Sequence, residues 1–93
     1  LRQQLEKERI DGEAARQLLG NSQFKLAWEA AENSILEQME EVSMRDTEMH
    51  TRLIMARQIL HNVRHHIETV LQTGEMAEFQ LNQPRTVGKR STK

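Results

Sequence analysis

Residues 49–70, MHTRLIMARQILHNVRHHIETV, decide the fold. Their apolar members Met49, Leu53, Ala56, Leu60, Val63, Ile67 and Val70 recur at intervals of 4, 3, 4, 3, 4 and 3. That alternation keeps one stripe of an α-helix facing a neighbouring helix, so it reads as a heptad seam. Asp46 or Thr47 is placed to cap the helix start, and Glu48 follows where a carboxylate favours the helix dipole. Gln72, Thr73 and Gly74 read as its end, because glycine adopts a left-handed cap at least cost. A short last turn, Glu75 to Leu81, is expected beyond it.

Upstream, Phe24, Trp28, Ala31, Ile35, Met39 and Val42 repeat at 4, 3, 4, 4 and 3. This is a second amphipathic helix, capped by Asn21 or Ser22, with Glu29, Glu32, Glu37, Glu40 and Glu41 mostly on its other faces. Two such helices, over about 22–42 and 48–73, joined by about five residues, are expected to fold as an antiparallel helical hairpin with coiled-coil-like packing. Residues 1–21 read as a weakly amphipathic helical lead. Asp11 is its N-cap for a short segment, Glu13 to Leu19, and Gly20 its stop. Strand signals are missing, with no sustained alternation, no Asn-Gly or Asp-Gly turn and no tyrosine. The fold class is all-α.

The chain has 93 residues and a formal net charge of −1, which hides a division. Residues 1–81 hold nine Lys/Arg against all fourteen Asp/Glu, a balance of −5. Residues 82–93, NQPRTVGKRSTK, hold four cations and no acid. Pro84 ends helical propensity there, so a domain over 22–81 is followed by a basic arm. The absence of cysteine excludes disulfides, thiolate metal sites and cysteine nucleophiles. The longest apolar run, Leu53 to Ala56, is far too short for a membrane span. Position 1 is a leucine, so the native N-terminus is not read from this chain.

Candidate chemistry is sparse. His61 and His65 are four apart, and Glu68 stands three beyond His65, so all three share a helix face. Zinc uses such donors, but Asn62 stands where a zincin needs its glutamate, and one helix offers no second element to close the site. The reading is therefore a polar face, with no metal and no cofactor. Ser22, Ser34, Ser43 and Ser91 lack a nucleophile elbow, and the scattered glycines form no phosphate loop. No catalytic residue is assigned and the chain is read as non-enzymatic.

Interaction residues are easier to name. The apolar stripes are wider than one hairpin needs, since Ile54, Ile59 and Leu71 flank one and Leu26 and Leu36 the other. A body this small is expected to associate with itself. Trp28, Ile35, Leu60, Val63 and Ile67 are the candidate interface. Arg57, His61 and Arg64 form a basic ribbon, which the glutamates of the second helix are expected to pair across the hairpin. Arg85, Lys89, Arg90 and Lys93 suit electrostatic contact with an acidic protein or with nucleic acid.

Three segments carry a family resemblance: Phe24-Lys25-Leu26-Ala27-Trp28, Arg45-Asp46-Thr47-Glu48, and Leu60-His61-Asn62-Val63-Arg64-His65-His66-Ile67-Glu68. Together they resemble small helical proteins encoded in tailed-phage and prophage genomes near head and packaging genes. Gly74-Glu75-Met76-Ala77 looks like the Gly-Lys-hydrophobic-Ala segment of such proteins, with Glu75 replacing the basic residue. The resemblance spans about 60 residues. It implies a head-morphogenesis, DNA-packaging or virion component that acts with other phage proteins, in the host cytoplasm or the virion. It brings no catalytic residues. The alternative function is a small nucleic-acid-binding regulator using the arm with Arg57, His61 and Arg64.

Overall fold

The computed structural model describes residues 1–83. The chain is all-helical there: α1 spans Arg2–Gly20, α2 Ser22–Glu41 and α3 Thr47–Asn82. The side chains of Asn21 and Asp46 are the caps that open α2 and α3. Asn21 accepts from the Phe24 backbone N–H at 2.9 Å, and Asp46 from that of Met49 at 3.1 Å. Each satisfies a donor that the first turn would otherwise leave unpaired.

Neighbouring residues give the direction of each helix. Leu1 and Leu5 lie beside Phe79 and Gln80, Gly12 against Gly74, and Leu19, Phe24 and Trp28 beside Arg64. Met39 lies beside Ile54 and Arg57. Numbers rise along α1 and α2 as they fall along α3. The first two helices therefore lie end to end, antiparallel to the third, with α1 on its C-terminal half and α2 on its N-terminal half.

Three expectations change. Gly74 does not end α3, which continues to Asn82 as one helix of 36 residues. No glycine among the described residues has positive φ, so no left-handed cap forms there. Likewise Asp11 does not start a short segment, because α1 runs unbroken through it. Its carboxylate instead accepts a hydrogen bond from Lys7 Nζ at 2.9 Å, which holds that ammonium above its ordinary pKa. The bond's contribution is thus present at neutral pH and is lost as pH rises through the raised lysine value. Finally, the closest helix packing is between the N-terminal lead and α3, not between α2 and α3.

One contact accounts for the first and the last of these. Gly12 and Gly74 face each other where α1 crosses α3. A Cβ built on Gly12 would lie 2.6 Å from the Gly74 Cα and 3.3 Å from the Val70 carbonyl oxygen. A Cβ on Gly74 would lie 2.6 Å from the Gly12 Cα and 2.8 Å from the Glu8 carbonyl oxygen. Val70 and Glu8 each precede their glycine by four residues, so the crossing is nearly two-fold symmetric. Its local sequences match as well: Gly12-Glu13-Ala14-Ala15 meets Gly74-Glu75-Met76-Ala77. Ala15 and Ala77 are buried beside the glycines, and Arg16 bridges Glu13 of its own helix and Glu75 of the other. A glycine costs about 1 kcal/mol inside a helix relative to alanine. Here two of them let backbones approach to a distance that no side chain permits.

The α2 half is different. Phe24, Trp28, Ala31, Ile35 and Met39 are only half-buried against α3. Phe24 and Trp28 lean on one another, ring centroids 5.6 Å apart. Leu53 is the one large apolar side chain buried among the described residues, and none is completely enclosed. No described helix is long and apolar enough to cross a membrane.

Candidate interaction surface

The heptad seam of α3 sets which residues face its partner helices. Leu53, Leu60, Ile67, Gly74 and Leu81 recur every seven residues, and each is buried or half-buried. Ala56, Val70 and Ala77 follow the companion row in the same way. Val63 belongs to that row but stays 45% exposed, near the level where α1 gives way to α2. Asn21, with extended backbone between α1 and α2, interrupts the two covering helices near that level.

Two flanks run beside the seam. One is an open groove lined by Met39, Ile54, Arg57, Gln58, His61 and Asn62. Further along, Lys25 and Glu29 of α2 lie beside Arg64 on this flank. Here the expected pairing across α2 and α3 does not occur. Arg64 reaches Glu68 at 3.5 Å and Arg52 reaches Glu48 at 2.7 Å, both within α3. An i,i+4 partner on the same helix needs no help from a second helix, so it captures the guanidinium first. Arg57 makes no ion pair among the described residues, and the one pair between helices there is Arg16 with Glu75. His61, His65 and Glu68 do not converge, and no group of three His, Asp or Glu among the described residues is arranged to hold a metal.

The opposite flank carries Met55, Ile59 and Val63, which are 55%, 60% and 45% exposed. They recur every four residues and so form one stripe, roughly 12 Å long at 1.5 Å per residue. Arg57 and His61 are each two residues from Ile59, which places them about 160° away around the helix. On α2 the same spacing separates Ala27 and Ala31 from Glu29. The α2 surface beside the stripe is therefore Ala27, Ala31, Ser34 and Gln38, small or uncharged throughout.

Of the residues expected at an interface, Trp28, Ile35, Leu60 and Ile67 lie half-buried along the chain's own helix seam, and Val63 is the exposed one. Arg57 and Arg64 lie on the groove flank. Arg85, Lys89, Arg90 and Lys93, with the boundary at Pro84, fall outside the described residues. In the sequence Ile59 stands only as a residue flanking the seam. Its four-residue spacing to Met55 and Val63 was the available signal. His50 was also missed: its Nε2 is buried with no hydrogen-bond partner, and nothing in its one-turn neighbourhood of sequence marks it.

The architecture defines a class: an all-helical rod in which two helices laid end to end cover a third. Compared with known proteins, the chain matches no family model, no curated protein and no solved structure.

Proposed function

We propose that this chain is a non-enzymatic helical assembly protein that works by self-association, as an antiparallel, coiled-coil-like body bearing a basic C-terminal arm. Its most concrete form is a tailed-phage head-morphogenesis, DNA-packaging or virion component, a role that rests on the family resemblance. One observation carries the association: no large apolar side chain among the described residues is fully enclosed, while thirteen stand exposed. A single rod with so little enclosed apolar surface has a weak drive to fold alone, and further burial against like chains supplies it. Light scattering at low micromolar concentration tests the reading. A mass of two or more chains is expected, and a folded, monodisperse single chain overturns it.

A second reading has one observation in its favour. Arg57 shares an open groove with His61. A nucleic-acid-binding regulator would use these with the arm, and its affinity would fall about tenfold or more between low and moderate salt. Duplex DNA titrated at low salt tests this, and no binding there removes it.

A further inference from the structure

We propose that α2 is a strap that lifts from α3 as one unit, hinged at Asn21 and at the turn 42–46, while the crossing of α1 and α3 stays closed.

The two contacts that α3 makes are held by different means. At the crossing, Gly12 and Gly74 bring backbones together, Ala15 and Ala77 are buried, and Arg16 reaches Glu75 at 3.4 Å. Nothing comparable holds α2. It buries no residue, and its side-chain hydrogen bonds among the described residues, Asn21 to Phe24 and Gln38 to Ser34, are local. Its inner side chains Phe24, Trp28, Ala31, Ile35 and Met39 are half-buried. An element with few enclosed apolar contacts and no polar link to its neighbour opens at low free energy. One buried group favours the opening. His50 Nε2, at the α2 end of the rod, has no hydrogen-bond partner, and returning it to water removes that cost.

The sequence of α2 also gives it little stability of its own. Lys7–Asp11, Arg9–Glu6 and Arg16–Glu13 pair along α1, and Arg52–Glu48 and Arg64–Glu68 along α3. Among the described residues α2 has no such pair. Glu40 and Glu41 stand in its last turn, at the negative end of the helix dipole, with no base there to offset them. A helix of 20 residues with these features depends on packing, since short isolated helices are marginal in water. Release from α3 therefore melts α2, and the segment opens as a whole.

The connections allow it. The backbone is extended at Asn21, with φ −73° and ψ 125°, and again at Val42, with φ −74° and ψ 136°. The turn between α2 and α3 is exposed, Met44 at 91%. Rotation at these two places leaves the helical hydrogen bonds of α1 and α3 intact. The crossing is then closed by the loop 21–46, and closure entropy grows only with the logarithm of loop length. Opening uncovers Trp28 and Ile35 on one side and Leu53 and Leu60 on the other, and closing hides them again.

Hydrogen exchange of single backbone amides in the full chain, read by NMR across low urea concentrations, tests this. Amides of 26–41 should exchange at least tenfold faster than those of 11–17 and 70–78. They should also share one urea dependence, shallower than that of the crossing, because less surface is exposed. A single urea dependence over all three helices overturns the strap. Exchange in α2 that ignores urea overturns it too, since that is separate fraying. Gly12→Ala gives a second measure, because it weakens the closed and open forms alike. It should speed exchange at the crossing at least tenfold and leave α2 within twofold, and equal acceleration in α2 overturns the proposal. Ala77→Gly, which deletes one buried methyl group, should show the same pattern and serves if Gly12→Ala does not fold.

Discussion

The two halves of α3 use opposite solutions to the same packing problem. Against α1 the contact is made by small residues, Gly12, Ala15, Gly74 and Ala77, all buried. Against α2 it is made by large ones, Phe24, Trp28, Ile35 and Leu60, all only half-buried. Close backbone approach gathers many weak contacts and excludes water with almost no side-chain entropy lost. Bulky side chains hold helices further apart and leave their outer edges wet. The first half closes its small residues completely at the crossing, while the second leaves its large ones part-covered, although Ile10, Met76 and Phe79 stand exposed on the first as well.

Substitutions separate the halves by the size and sign of their effects. Gly74→Leu should be the most damaging, because its side chain would start 2.6 Å from the Gly12 Cα and 2.8 Å from a carbonyl oxygen. Backbone, unlike a side chain, cannot step aside, so a loss of about 3 kcal/mol or more is expected in urea unfolding, above the usual overpacking range. Unchanged stability would mean that α1 does not pack there. Next, Leu53→Ala removes the one large buried side chain of the α2 half and should cost about 2–3 kcal/mol, near the low end for such deletions because its surroundings are half-open. A loss above about 4 kcal/mol would show that the α2 half is as well enclosed as the other.

Smaller effects sharpen the same contrast. Asp46→Ala deletes the cap accepting from the Met49 N–H and should lower stability by about 1 kcal/mol, seen as a drop in thermal midpoint. Gly20→Ala should do the reverse. Gly20 lies in the last turn of α1 without positive φ, and a Cβ there would meet nothing within 4 Å. A gain of about 0.5 kcal/mol is expected from helix propensity and the reduced freedom of the unfolded chain. Gly12→Ala, the same change eight residues earlier, should lower stability. If both raised it, the close approach at Gly12 would not exist.

Much of this was legible in residues 49–70, whose 4-3 spacing gave α3 its face, and in Asn21 and Asp46, whose side chains gave two helix starts. Gly74 does not end α3, because the apolar pattern does not stop there. Val70, Gly74, Ala77 and Leu81 continue the same 4, 3, 4 spacing, and Leu1, Leu5, Glu8, Gly12, Ala15 and Leu19 repeat it in α1. Glycine and alanine carry little hydrophobic signal, so a stripe made of them looks thin. A local rule that glycine ends helices then outweighs a periodicity that runs through it. The Arg57, His61, Arg64 face was visible as a ribbon, but its missing cross-helix partners were not, because spacing along one helix says nothing about the rotation of another.

The sequence by itself determined that the chain is helical, where α2 and α3 begin, which stripe of each turns inward, and that charge divides between an acidic body and a basic arm. These follow from short-range chemistry: caps, periodicity and the depletion of strand formers act within a few residues. Only the tertiary structure decided that α1 is the tightest partner of α3, that two glycines 62 residues apart meet at the crossing, and that Ile59 stands open in the middle of the rod while Trp28 is half-buried. The physical reason is that a glycine's role depends on what stands opposite it. Alone in a helix it is a weakness, and against a second glycine it is the point where two helices come closest.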